Sequence, residues 1–447
     1  MSIIEESLQR TTDTKACRIG PGALSYVPGM FRELFGDRRA ILVADGNTYR
    51  AAGEEVERLL REAGIGLEPS FIFRDPDLYA EWGYLKQLEN YLSGTDAIAV
   101  AVGSGVINDL TKLSSAHLGR PYLIVGTAAS MDGYTAFGAS ITYEGNKQTF
   151  DCPAPAGLVL DPSIAAKAPK GMSASGYADL MAKIPAAADW MLADAAGTDP
   201  IDPVSLDLVQ RNLRASLSRP EEVAEGSVPE TEELSIGLVM SGFAMQACKC
   251  SRPASGLEHQ FSHYWDMEGL CWKGKHVSHG FKVAIGTLVS TACLEFLLDK
   301  GLEEVDPDRC AAAWPTWEKQ EEQIRQLFRD KPAHAERALA ESKAKYQDAA
   351  AVREQLRNLR EGWNGLAARI RTQIFPFGEV RNKLHRVGAP YEPEMIGVSR
   401  EKLRNTFRGI PYMRSRFTSI DLILRAGLLP EVEAALFGPG ARWDTNS

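Results

Sequence analysis

A chain of 447 residues, 44% apolar and 24% charged, has a globular composition and enough length for more than one core. Its net charge of −9, with no basic stripe interleaved with aromatics, argues against nucleic acid as a partner. No apolar run reaches the roughly 18 residues that a membrane span needs, so no span is expected.

The N-terminus, Met1-Ser-Ile-Ile-Glu-Glu6, lacks the basic start and apolar stretch of a secretion signal. The seven cysteines are odd in number and scattered, as reduced thiols are, and a cytoplasmic location is expected. Cys248 and Cys250 are one residue apart, where structural zinc sites use two-residue spacing and four ligands, so packing explains them better.

From residue 17 to 161 the pattern is α/β. Residues 40–45 (AILVAD) read as a buried parallel strand, 50–63 as an amphipathic helix, and 70–73, 96–102 and 121–127 as further strands. Strands alternating with helices predict a doubly wound parallel sheet. Residues 136–149 read as a hairpin turning at Glu144-Gly-Asn146. Beyond Asp161-Pro162 the strand signals stop. Residues 175–194, 203–217, 230–250, 280–298 and 332–366 read as mainly helical, 218–231 as a loop, and the densely charged 318–360 as solvated helix faces. The expected organisation is an α/β dinucleotide-binding domain over 1–165 and an all-α metal- and substrate-binding domain over 166–447.

Gly103-Ser-Gly105-Val106-Ile107-Asn108-Asp109 closes an apolar strand and opens a helix, where backbone amides can meet a diphosphate. The signal departs from the usual fingerprint. Asn108 stands in place of the third glycine, and no acid follows about twenty residues later. The acid that could hold a ribose hydroxyl is Asp45, before the turn, so a variant strand order must bring it alongside. Its charge would then favour a 2′-hydroxyl over a 2′-phosphate, hence NAD over NADP. A plain glycine turn joining strand to helix explains the segment equally well.

Downstream, one carboxylate and several imidazoles are set in helical sequence. Ser255-Gly-Leu-Glu258 reads as a capping box opening a helix that carries His259 and His263, four apart on one face. His279 follows from the next helix, and Asp179 lies on the helix running from Ser175. Three N/O ligands from separate elements suit a catalytic divalent ion that keeps a coordination position open. Spacing does not choose between His259 and His263.

These runs, with Thr127-Ala-Ala-Ser130-Met-Asp132-Gly-Tyr134, Ala188-Asp-Trp190 and Met413-Arg-Ser-Arg-Phe-Thr-Ser-Ile-Asp421, resemble the sn-glycerol-1-phosphate dehydrogenases. That family sits among the iron-containing alcohol dehydrogenases, glycerol dehydrogenases and dehydroquinate synthases. The resemblance spans about 17–429 and implies an active site in the cleft between the two domains. It implies Asp179, His259 and His279 as ligands of one zinc or nickel ion, and Asp132 and His263 as residues contacting substrate. It also implies NAD(P) contacts at Gly105–Asp109 and Thr127, Ala128, Ala129 and Ser130, beside Asp45 and Gly103. The family often has proline where this chain has Ala129, and serine where it has Ala136, leaving Thr135 as the neighbouring hydroxyl.

The activity so implied is reversible hydride transfer between NAD(P)(H) and the secondary alcohol of sn-glycerol 1-phosphate, giving dihydroxyacetone phosphate, in a homo-oligomer. His263 would relay a proton or bind a substrate hydroxyl, and Asp132 would fix a hydroxyl near the nicotinamide. Lys273, Lys275, His276 and Arg252 are the cations nearest the ligands in sequence, and so candidates for the phosphate. The alternatives are a polyol dehydrogenase acting on unphosphorylated glycerol, a dehydroquinate synthase-like lyase, and a non-catalytic nucleotide-binding protein with structural histidines.

Overall fold

Short runs of small and branched apolar residues build the N-terminal half of the chain, and in the computed structural model they form parallel strands. The structure describes residues 3–445; Met1, Ser2, Asn446 and Ser447, the outer ends of the two expected domains, lie outside the described residues. The chain separates into two units. The first takes in the chain up to 180 with 203–253 and 386–389, the second 181–202, 254–385 and the chain from 390. Helices 203–253 therefore group with the α/β unit.

In the first unit, β1 (Ala16–Ile19), β2 (Ala40–Asp45), β3 (Phe71–Phe73), β4 (Ile98–Gly103), β5 (Tyr122–Gly126) and β8 (Gly157–Leu160) form one sheet, ordered β1-β8-β5-β4-β2-β3. All five pairings are parallel. β6 (Ala139–Tyr143) and β7 (Asn146–Phe150) make the expected antiparallel hairpin. Alternate residues feed two cores. Ile41, Val43, Ala99 and Ala101 enter one, and Leu42, Ala44, Val100 and Val102 the other. Both faces are therefore buried, which explains why these strands read as continuous apolar runs.

Helices cover each face. Phe31 of α1 (Val27–Phe35) and Val56 and Leu60 of α2 (Glu54–Glu62) enter one core. Leu85, Leu88 and Leu92 of α3 (Trp82–Ser93) and Leu110 and Leu113 of α4 (Gly105–His117) enter the other. From β2 the chain moves outward to β3, then returns to lay β4 and β5 on the opposite side. The direction of winding thus reverses between β2 and β4, the place where open parallel sheets bind ligands at their carboxyl ends.

α5 (Lys170–Met181) and α6 (Lys183–Ala195) follow, broken at Ala182. The expected loop at 218–231 instead contains a short helix, Pro220–Glu225, closed by Gly226 at φ 83°; the proline starts it and the glycine stops it. α7 (Val228–Cys248) then sends Val239, Met240 and Phe243 into the core shared with Ile124 and Leu158 of the sheet.

The second unit is helical, apart from a two-stranded hairpin, Cys271–Trp272 with Lys275–His276. α8 (Leu257–Met267) and α9 (His279–Lys300) pack together along their lengths. α9 is long and apolar enough to cross a membrane, yet 83% of its most apolar window is buried in the protein, as a core helix is. The stretch 332–366 is three helices rather than one: α10 (Pro332–Lys345), α11 (Ala349–Glu361) and α12 (Trp363–Gln373). The first break comes where Asp348 turns its carboxylate onto the Ala351 amide as an N-cap, at 2.9 Å, and the second falls at Gly362.

Candidate active site

The glycine-rich turn sits at the carboxyl end of β4. A Cβ on Gly103 would lie 2.6 Å from that of Ile107, so the turn is too tight for a larger residue. Ser104 is the N-cap of α4, and the first intrahelical bond runs from the Asn108 amide to the Ser104 carbonyl at 2.9 Å. The amides of Gly105, Val106 and Ile107 therefore precede the ladder and form an anion-ready helix start. Asp45 ends the neighbouring strand β2, so the variant strand order does bring the acid to the same end of the sheet. One of its oxygens, Oδ1, caps the next turn through the Asn47 and Thr48 amides at 2.7 and 3.0 Å.

Asn108 and Asp109 point elsewhere. Asn108 is fully buried: its Nδ2 donates to the Gly133 carbonyl at 3.2 Å, and its Oδ1 accepts from the Tyr122 hydroxyl at 2.9 Å. Asp109 accepts from the Ser140 amide at 3.3 Å, and burial raises its carboxyl above the usual range. One turn on, the buried Lys112 ammonium donates to the carbonyls of Gly133, Ala136 and Gly138 at 2.7–3.1 Å. These three side chains hold the 133–140 segment in place.

That segment continues the second loop. The Thr127 amide donates to the Gly103 carbonyl at 3.1 Å, Ala128 and Ala129 are buried, and Ser130 is partly exposed. α5 crosses so close that a Cβ on Gly176 would overlap the Ala129 carbonyl. Thr135 does not supply the missing serine contact. It is fully buried and donates its hydroxyl to the Val239 carbonyl at 3.0 Å. The Asp132 carboxylate accepts from the Ser241 hydroxyl at 2.8 Å, and its amide donates to Asp179 Oδ2 at 3.1 Å.

Asp179, His259 and His279 come together, each offering one ligand atom within 4.8 Å of the others. Asp179 is fully buried in the last turn of α5, His259 is 6% exposed in the first turn of α8, and His279 opens α9. The expected capping box does not form. Gly256, not Ser255, is the N-cap of α8, and Glu258 Oε1 accepts from the Gly256 amide at 2.5 Å. The same oxygen lies 2.8 Å from His259 Nδ1. Nδ1–H then donates to the carboxylate, which leaves Nε2 to bind a metal. His279 Nδ1 lies 3.3 Å from the Ser262 hydroxyl.

Asp189 went unread in the sequence, although Ala188-Asp-Trp190 is an unusual place for a carboxylate, inside an apolar helix. Its Oδ2 accepts from the Leu257 amide and its Oδ1 from the Ser419 amide, both at 2.7 Å, so it pins the start of α8. Burial, and then the Glu258 charge facing it across Gly256, push its pKa up to about 6. Glu258 Oε2 is buried and makes no hydrogen bond. With Asp179 and Asp189 this makes three fully buried carboxylates, negative charge that a divalent ion would balance. An N/N/O donor set with an imidazole oriented from behind fits such an ion.

His263 lies one turn beyond His259 and outside the ligand cluster. Burial, then the Arg414 charge, then the other two imidazoles and Arg337 hold its pKa well below the ordinary range. Lys273, Lys275 and His276 are exposed on the two-stranded hairpin, and Arg252 is buried in the first unit.

The family model of iron-containing alcohol dehydrogenases matches residues 18–169. A glycerol-1-phosphate dehydrogenase [NAD(P)+] of Halalkalibacterium halodurans is 34% identical over 277 residues, 62% of this chain and 69% of that protein. Its counterpart in Bacillus licheniformis is 26% identical over 428 residues, 95% of this chain and 92% of that protein. Among solved structures, glycerol dehydrogenase from Schizosaccharomyces pombe is similar in fold, with a TM-score of 0.60 at 16% identity over 95% of this chain and 90% of that one. An iron-containing alcohol dehydrogenase from Thermococcus thioreducens superposes equally well, with a TM-score of 0.60 at 15% identity over 93% and 97%.

Proposed function

This chain belongs to the glycerol-1-phosphate dehydrogenases, and from that membership we propose that Asp179, His259 and His279 hold one divalent ion, zinc or nickel, beside the bound substrate. The enzyme interconverts dihydroxyacetone phosphate and sn-glycerol 1-phosphate with NAD(P)(H). When bound, the nicotinamide supplies or takes the hydride, and the metal supplies a Lewis acid for the reacting carbonyl.

The chain's own residues orient and exclude. Glu258 fixes the tautomer and angle of the His259 ring, and Asp189 holds the helix that presents it. Asp132, tethered by Ser241, offers a carboxylate oxygen to a substrate hydroxyl, while its amide steadies Asp179. With its pKa held low, the His263 ring is neutral at physiological pH and serves as a hydrogen-bond partner for a hydroxyl. At the cofactor end, the free amides of Gly105, Val106 and Ile107 receive the diphosphate, flanked by Gly103 and by Thr127, Ala128, Ala129 and Ser130. Asn108 and Asp109 serve that end by shaping the loop. Asp45 at the end of β2 favours NAD over NADP, because its charge repels a 2′-phosphate. The place of work is the cytoplasm.

The convergence of Asp179, His259 and His279, with Glu258 behind one ring, carries the metal assignment. The test is NADH oxidation with dihydroxyacetone phosphate, using chelator-stripped enzyme refilled separately with zinc and nickel. Activity restored by one ion supports the assignment and names the metal. Full activity in the stripped enzyme overturns it.

A further inference from the structure

We propose that Arg414, with Arg337 and Arg416 beside it, binds the phosphate of the substrate; this rests on the glycerol-1-phosphate dehydrogenase reading above. All three belong to the helical unit. Arg414 lies in the loop ahead of α13 (Ser419–Arg425), where two neighbours are tied down. Arg416 donates to the Ser255 carbonyl at 2.6 Å, just before the helix of His259 and His263. The Ser415 amide donates to Glu341 Oε2 at 2.7 Å, and Glu341 Oε1 lies 3.6 Å from Arg337.

Arg414 itself makes no hydrogen bond or ion pair among the described residues. It lines a cavity of about 640 Å³ together with Arg416, Lys345 and Arg425. The last two are engaged already, Lys345 with Asp421 and Arg425 with Gln347 and the Lys345 carbonyl. The charges bearing on Arg414 are two like ones, Arg416 and Arg337, against Glu341, which both Arg337 and Ser415 already use. A largely buried guanidinium facing its own kind is unfavourable until an anion arrives. Its flat, forked donors match the oxygens of a phosphate monoester.

The position suits the substrate. Arg414 and Arg337 both bear on the His263 ring, which lies four residues, about 6 Å of helix rise, beyond His259. That is the scale of a three-carbon chain reaching from the metal to its phosphate. Lys273 and Lys275 are instead exposed on the two-stranded hairpin.

The experiment uses metal-loaded Arg414→Ala and Arg414→Lys, with Arg337→Gln as a second position. In Arg414→Ala the KM for dihydroxyacetone phosphate should rise roughly 100-fold, the scale for removing one partner of a buried charged pair. The preference for the phosphorylated over the free ketone in kcat/KM should shrink by the same factor, which a merely structural role would not do. Arg414→Lys should fall between, and competitive inhibition by inorganic phosphate should weaken in parallel. A folded Arg414→Ala with unchanged KM and unchanged preference overturns the phosphate site. If the wild-type enzyme ignores dihydroxyacetone phosphate, the functional reading fails. The site then stands only if inorganic phosphate raises the melting temperature of the wild type and not of Arg414→Ala.

Discussion

Replacing Glu258 by Gln should weaken metal binding and strengthen the metal-free fold at once. Glu258 Oε1 lies 2.8 Å from His259 Nδ1, and its other oxygen is buried with no donor, opposite Asp189. Gln keeps the shape and an acceptor for Nδ1–H but removes the charge that makes the ring a better ligand. Substitutions of this kind cost about 10- to 100-fold in metal affinity, and the isosteric change belongs at the lower end. The opposite effect comes from Asp189. Its pKa is raised from 3.8 to about 6, by burial first and by the Glu258 charge second, so removing that charge lets part of the rise relax. Because the folded pKa is raised, the stability contributed by protonated Asp189 is complete below pH 3.8 and lost as pH climbs through about 6. At pH 7.5 the wild type has therefore lost it, and the variant recovers a share. Chelator competition for zinc at pH 7.5 and thermal melts of stripped protein at pH 4 and 7.5 measure both. The variant should bind zinc about tenfold more weakly, melt higher at pH 7.5, and lose that advantage at pH 4. Wild-type zinc affinity together with an unshifted melt would refute the reasoning.

Three further substitutions probe the rest of the site. His259→Ala should abolish metal content and turnover together, read by metal analysis and NADH oxidation; an active, metal-free variant contradicts the ligand assignment. Gly176→Ala drives a Cβ into the Ala129 carbonyl, where neither backbone can yield, and should cost about 1–3 kcal/mol with a raised KM for NADH. Denaturant melts and steady-state kinetics decide it. Asp45→Asn keeps a cap acceptor for Asn47 and Thr48 yet removes the charge, so NADP use relative to NAD should rise several-fold with little change in stability.

Much of the sheet was legible because doubly buried strands leave continuous apolar runs, as at 40–45 and 121–127. β1 and β8 were harder: four residues each, too short for periodicity to speak. The three-helix break in 332–366 had a local signal in Asp348, an N-cap residue hidden among charges. Asp189 had almost none. Its partners are 68 and 230 residues away, and a role defined by distant amides leaves no trace in neighbouring sequence. The candidate ligands showed because histidine is rare here, seven in the chain, and clustered. Spacing left His259 and His263 equivalent, and the side chain that separates them, Glu258, was read as a cap. Arg414 stands in the 413–421 run, but that it makes no hydrogen bond or ion pair among the described residues is a property of three-dimensional packing.

The core beneath the sheet is completed by Val239, Met240 and Phe243 of α7, which leave the ribosome well after β8 and α5. At about 5–20 residues per second, the sixty or so residues in between take on the order of several seconds to synthesise. For that time α3 and α4 cover this face only in part, and the patch that α7 will cover stays open, an interval in which chaperones would be most needed. A fragment cut near residue 180 would keep that patch open permanently, and should collect in inclusion bodies rather than behave as an isolated nucleotide-binding module.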